Sequence, residues 1–360
     1  MLGRCVLSLL LILFIIGCSS EKETHELEQA ETQAIEVNGT VTETLVRNLY
    51  IPWTIEKYDN LIFLSERGGS IIQIDIETGL KKPLPLFLTE DIHHEGEGGL
   101  LGFVLSPDYE TTGHAFGYHT YIKDNTIFNR VILLQKTDDK WEEKRVLLDE
   151  IPGGRIHNGG RIKIGPDGML YVTAGDAGIP ELAQDKSSLA GKILRMDLDG
   201  SIPENNPIPG SYIYSFGHRN PQGLAWDDNE NLYSTEHGQS AHDEINLIKP
   251  GGNYGWPSIQ GGQSAEGMIQ PVYHTGEITW APSGLDYYNG KLYIATLRDS
   301  KIRSYDLANK GIAIVHEGSG RMRDVFIEDQ NLYTITNNHD GRGNPSKEDD
   351  LLIRIRLLKN

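Results

Sequence analysis

The sequence predicts an all-β protein built as a six-bladed β-propeller, and three observations carry that expectation. A short strand-forming unit recurs six times after a turn of Asn, Asp or Gly. Several copies are followed by a second segment that alternates apolar and polar residues with period two. The composition, with 40 Gly, 16 Pro and 16 Tyr against 5 Met, supplies turn and strand formers rather than those of a helical bundle.

Length and charge bound the rest. At 360 residues the chain exceeds one small domain and has room for a single large all-β domain or an α/β barrel. The 33 Lys and Arg against 51 Asp and Glu give a net charge of −18. A non-specific nucleic-acid binder needs a basic footprint, so that class is excluded, and anionic membrane surfaces are disfavoured for the same reason. Both cysteines, Cys5 and Cys18, fall in the first eighteen residues. The body therefore has no disulfide and no thiolate metal site, and its stability must come from packing.

Residues 1–17 pair Arg4 with an apolar run from Val6 to Ile16, the pattern of a secretory signal and too short to span a membrane comfortably. Ile15-Ile16-Gly17-Cys18 resembles a bacterial lipobox, which implies a lipid on Cys18, an extracytoplasmic cell-envelope location and membrane attachment through that lipid alone. Residues 18–37 are polar and Glu-rich for most of their length and read as a flexible tether. The propeller is expected over residues 38–360.

The recurring units begin at Leu61, Ala115, Leu170, Leu232, Leu292 and Leu332, with separations of 54, 55, 62, 60 and 40 residues, suited to a four-stranded blade plus a variable loop. Alternating strands are expected over 70–76, 192–198 and 301–307, each ending in a turn such as Glu77-Thr78-Gly79 or Asp199-Gly200. The C-terminal segment 351–356 looks like such a strand without its partner. Residues 39–45 are expected to complete its blade, which would close the ring and remove a sheet edge.

Four loop segments carry chemistry. His157-Asn158-Gly159-Gly160-Arg161 precedes a strand, and an imidazole there suits a general base. Asp176, at the far end of the following strand, is placed to return beside His157 and orient its ring. The segment Ser215 to Leu224 supplies a polar, cationic loop containing Arg219 and Asn220. Arg321 and Arg323, two apart, project to one side of an extended segment, and with Arg298 they suggest an anion site for a carboxylate ligand. The segments 234–246 and 251–257 mix acids with Gly-rich backbone, the oxygen donors that Ca²⁺ prefers, although no EF-hand spacing occurs. His93, His94, Glu95 and Glu97 form either a transition-metal site or a polar loop rim.

Together the segments Glu97-Gly98-Gly99-Leu100-Leu101-Gly102, His157 to Arg161, Gly217 to Gly223, Asp243-Glu244-Ile245-Asn246 and Asn253-Tyr254-Gly255-Trp256-Pro257 resemble the glucose/sorbosone dehydrogenase family, soluble aldose sugar dehydrogenases that use pyrroloquinoline quinone (PQQ). The resemblance runs from Ile51-Pro52-Trp53 to the C-terminus and implies a six-bladed propeller, an aldose substrate and an external electron acceptor. It implies that His157 is the catalytic base, Asp176 its partner, and that Arg219 and Asn220 lie at the quinone carbonyls. It further implies that Arg298, Arg321 and Arg323 hold the PQQ carboxylates, with Thr279 as a weaker hydroxyl contact. The carbonyls of Gly238 and Gln239 match an active-site Ca²⁺, and Glu244 with the Tyr254 carbonyl matches a second, structural Ca²⁺. Three positions depart from the pattern. Glu97 stands at a cofactor-binding position where relatives often carry Gln, Arg298 where they carry Lys, and Ile156 where some carry an acid. An extra carboxylate at residue 97 costs affinity for an anionic quinone unless it is protonated or paired.

Two other readings compete with oxidation of an aldose C1 hydroxyl to a lactone. One is a metal-dependent propeller lactonase, which needs side-chain carboxylates at the axis. The other is a surface-tethered propeller that binds sugar or protein without catalysis.

Overall fold

A computed structural model of the chain describes residues 34–37 and 40–357. The expected signal segment, Cys18 and the tether as far as residue 33 lie outside the described residues. Ala34–Val37, assigned from sequence to the end of the tether, is a strand paired antiparallel with Thr40–Val46.

The six recurring units are each the second strand of an antiparallel meander. The first meander comprises Pro52–Tyr58, Leu61–Glu66, Ser70–Asp75 and Lys81–Phe87. The next comprises Leu100–Leu105, His114–Lys123, Thr126–Lys136 and Trp141–Pro152. These two share one eight-stranded sheet, because Trp141 and Glu142 pair in parallel with Leu86 and Phe87. Three four-stranded sheets follow, opened by Ile162–Ile164, Pro221–Trp226 and Pro282–Tyr288. The last sheet begins with Met322–Glu328 and ends with the N-terminal strands, Leu352–Arg356 taking Thr40–Val46 as its neighbour with Thr42 opposite Ile355. The closure expected from sequence is thus present, and it pairs what would otherwise be an open edge.

The opening strands pack against one another in turn. Pro52–Tyr58 meets Leu100–Leu105, which meets Ile162–Ile164. Leu170–Ala174, the neighbour of that strand, meets Pro221–Trp226. The series continues through Pro282–Tyr288 and Met322–Glu328 back to Pro52–Tyr58. Apolar side chains fill the space between neighbouring sheets. One cluster joins Phe116 and Val131 to Val172 and Leu194, and another joins Ile62 and Leu64 to Ile335 and Leu352. Each such fully buried aliphatic or aromatic side chain contributes roughly 1.5–3 kcal/mol.

Regular pairing fails at one place in five of these opening strands, near the start. Register shifts lie between Pro52 and Thr54, Leu100 and Phe103, Pro221 and Gly223, Pro282 and Leu285, and Met322 and Asp324. A bulge re-aims the unpaired side chain. The residues freed include Trp53, Gln222, Ser283 and Arg323, and the first three meet around the Arg323 guanidinium.

Candidate active site

His157 adopts φ +58°, a left-handed conformation that costs a non-glycine residue energy and is found at sites where orientation matters. The conformation points its backbone N–H at Glu97 Oε2, 2.9 Å away, and its ring Nδ1 at Asp176 Oδ1, 2.7 Å away. An ionised carboxylate only accepts, so Nδ1 carries the ring proton and Nε2 is left as the basic nitrogen. Asp176 is fully buried, and its two oxygens take two further donors: the Gly178 N–H at 2.8 Å and the Trp256 Nε1–H at 2.8 Å. Gly175 permits this approach, because a Cβ there would lie 2.0 Å from the His157 carbonyl oxygen.

A cleft opens beside the dyad, lined by Trp53, Arg67, Glu97, Asn220, His237 and Arg323, among others. Its lining residue Trp53 packs against a buried ion pair, Arg161 Nη1 to Asp324 Oδ2 at 2.9 Å, with the Arg161 guanidinium 4.2 Å from the centre of the Trp53 ring. Arg323 lies 5.7 Å from the same ring and is bonded only to neutral groups, Asn337 Oδ1 at 3.1 Å and Gln222 Oε1 and Ser283 Oγ at 3.3 Å. Burial, with Arg67, Arg321 and Arg161 close by, lowers its affinity for its proton. Asn220 Oδ1 accepts from the Gly159 N–H and from Gln222 Nε2, both at 3.1 Å. His237 Nε2 and Arg219 Nε are buried with no hydrogen-bond partner. Burial brings His237 down to about 4, so its ring is neutral at pH 7.

Glu97 closes one side of the mouth. Its Oε1 accepts from Arg342 Nη1 at 2.8 Å, a bridge between two rim loops. Burial alone would raise the Glu97 carboxyl, but the His157 N–H and Arg342 prevail and hold it at about 2. Arg298 and Arg321 line an adjoining pocket with Arg342. Arg321 donates to Asp340 Oδ2 at 2.7 and 3.0 Å.

Behind the cleft, a small pocket is lined by Arg219, Glu236, Gly238, Glu244, Tyr254 and Trp256. Glu236 and Glu244 face each other on adjacent strands. Burial first, and then Glu236, raises Glu244 to about 8. The side-chain oxygens of Gln260 and Asn246 are buried without a donor. Among the described residues no group of three or more His, Cys, Asp or Glu side chains is arranged to hold a metal ion.

The model of the glucose/sorbosone dehydrogenase family matches residues 49–354. The chain belongs to that family. Membership places it among the dehydrogenases. A quinoprotein glucose dehydrogenase B of Acinetobacter calcoaceticus is 37% identical over 248 residues, 60% of this chain and 52% of that one, so this match spans about half of the relative's length. The aldose sugar dehydrogenase YliI of Escherichia coli K12 is 29% identical over 83% of this chain and 90% of its own. Among solved structures, the PQQ-bound aldose sugar dehydrogenase of Streptomyces coelicolor superposes with a TM-score of 0.81 at 36% identity, covering 88% of this chain and 98% of that one.

Within this family member the structure sorts the candidate residues. His157 and Asp176 pair directly, and Glu97, Asn220 and Arg323 line the cleft beside them. Arg219 lies at its junction with the rear pocket, which also holds Gly238, Glu244 and Tyr254. Arg298 and Arg321 sit next door. The structure does not bring Thr279 or Gln239 to either the cleft or the rear pocket. Thr279 is half-buried, its hydroxyl donating to the Ser240 carbonyl, and Gln239 is exposed. Residues passed over in the sequence are Trp53, Arg67, His237, Trp256, Asp340 and Arg342. An anionic, carboxylate-bearing quinone fits this lining, because crowded cations and unpartnered buried nitrogens await an acceptor. A divalent cation likewise fits the rear pocket, where a carboxylate stands among neutral oxygens that lack donors.

Proposed function

We propose that the protein oxidises the C1 hydroxyl of aldose sugars to lactones with PQQ as cofactor. The carrying observation is the His157–Asp176 pair at 2.7 Å next to a cleft whose lining includes Asn158, Glu97 and the cations Arg67, Arg323 and Arg342. His157 accepts the hydroxyl proton at Nε2, and Asp176 holds Nδ1–H and stabilises the imidazolium that forms. Arg323, Arg298, Arg321, Arg219 and Asn220 bind and orient the cofactor. Bound PQQ supplies the two-electron acceptor for the C1 hydride. Repeated turnover would require an external electron acceptor. The PQQ-bound relative from Streptomyces coelicolor and the quinoprotein relative support this reading.

On the same reading the eight-stranded sheet counts as two blades, which makes six. The carbonyls of Gly238 and Gln239 serve one Ca²⁺, and Glu244 with the Tyr254 carbonyl serves a second. The enzyme acts in the cell envelope, tethered by lipid on Cys18. Titration of PQQ into Ca²⁺-loaded protein, followed by aldose oxidation with an artificial acceptor, tests the function. Saturable binding with turnover is expected, loss of both after chelation is expected, and turnover of a lactone without PQQ would overturn the reading. Cys18→Ser protein is expected in the soluble fraction.

A further inference from the structure

The indole N–H of Trp256 ends on the carboxylate that orients His157, although the two lie 80 residues apart in sequence. Asp176 Oδ1 serves His157 and the Gly178 N–H, while Oδ2 takes Trp256 Nε1–H at 2.8 Å. A carboxylate with one oxygen committed to a ring and the other free would rotate about its Cβ–Cγ bond. With a donor on each oxygen it holds one orientation, and the imidazole is held with it. Trp256 is itself held: Gln184 Nε2 donates to its carbonyl at 2.7 Å and to Asn253 Oδ1 at 3.0 Å, and Asn253 Nδ2 donates back to Gln184 Oε1 at 2.9 Å. Its ring also lies 5.4 Å from the Arg219 guanidinium, so one side chain touches the base's partner and the cationic wall together.

We infer that Trp256 is a positioning residue, which fixes the Asp176 carboxylate and through it the reactive orientation of His157. The inference rests on His157 being the base. The charged and titratable groups near the pair are Arg219, on the loop between Ile213–Phe216 and Pro221–Trp226, Glu97 with Arg342 on the rim loops, and His237 in the cleft lining.

Trp256→Phe removes the N–H and keeps a ring against Arg219. In the PQQ-loaded enzyme, kcat should fall roughly tenfold, the scale of one hydrogen bond to a charged group, with KM for the sugar unchanged. In an Asp176→Ala background the same substitution should change kcat less than twofold, because the oxygen that accepts the indole N–H is gone. In the cofactor-free protein the low-field proton resonance of His157 Nδ1–H should shift on Trp256→Phe. Trp256→His, which restores a ring N–H, should recover part of the rate, and it is the variant to read if the Phe form melts below the assay temperature. Equal losses in both backgrounds, or an unmoved His157 resonance in the folded variant, would overturn the inference. If His157→Ala left kcat at the parent value, the base assignment would fall first, and the resonance would still report whether Trp256 reaches the pair.

Discussion

The two walls of the cleft are built on opposite terms. On the base side, all but His157 Nε2 is closed within the chain, with His157, Asp176, Gly178, Trp256 and Glu97 bonded to one another at 2.7–2.9 Å. On the cationic wall, Arg323 meets only neutral oxygens at 3.1–3.4 Å, and Arg219 Nε and His237 Nε2 meet nothing. A buried polar group without a partner costs roughly 1–3 kcal/mol, so the second wall stores a debt that an anionic ligand would relieve. The first wall is ready for proton transfer before any ligand arrives. Removing a group from the base wall should therefore damage turnover and spare binding, whereas the cationic wall should do the reverse.

The largest expected effect is on turnover. His157→Ala should lower kcat by ~10²–10⁴, the usual contribution of a positioned base, while PQQ affinity measured by calorimetry stays near that of the parent. An unchanged kcat would remove the distinction between the walls.

Next comes binding, where the structure separates two arginines that spacing alone treats alike. Arg323→Ala should weaken PQQ at least about tenfold, since a hydrogen bond to a charged group contributes ~1.5–3 kcal/mol and this guanidinium has no carboxylate partner in hydrogen-bond reach. Arg321→Ala should weaken PQQ less and lower the melting temperature more, because Asp340, only 3% exposed at its side chain, loses the cation it faces at 2.7 Å. Equal calorimetric losses would show that Arg321 leaves Asp340 for the ligand.

The same pair shows where sequence reasoning stops. Recurrence after a turn identified the second strand of every meander, and alternation identified the third strand of three of them. The partnerless segment at the C-terminus pointed to residues near 39–45 as closing the ring, because these inferences need only local repetition, period two and an unpaired edge. His157 and Asp176 were legible because only one hairpin, Ile162–Ile164 paired with Leu170–Ala174, separates them. Arg321 and Arg323 were legible as cations but not as separate ones, because the pairing slips between Met322 and Asp324 and sends Arg323 alone to the cleft. Bulges at Trp53 and Gln222 hide those cleft residues in the same way. Trp256 and Arg342 act on partners 80 and 245 residues away, and no local pattern encodes such a contact. The shared eight-stranded sheet rests on two residues of parallel pairing, which carry no sequence signal either.

The smallest effect concerns Glu97, which belongs to the base wall through the His157 N–H and reaches across the mouth through Arg342. Its folded value of about 2 lies below the ordinary 4.5. A depressed carboxyl contributes stability that is fully present above the unfolded value and is lost as pH falls through the folded one, so the window runs from 4.5 down to about 2. Glu97→Gln keeps an acceptor for the His157 N–H and deletes the ion pair, and Arg342 is 55% exposed at its side chain, so the cost at neutral pH should stay within about 1 kcal/mol. Urea midpoints of the parent should fall more steeply than those of the variant between pH 4.5 and 2. Neutralising residue 97 also takes one negative charge from the mouth of the cleft, so PQQ should bind the variant somewhat more tightly. Parallel acid unfolding of the two proteins would mean that Glu97 is not held by its partners, and weaker PQQ binding would mean that the Glu97–Arg342 bridge shapes the mouth for the ligand rather than opposing it.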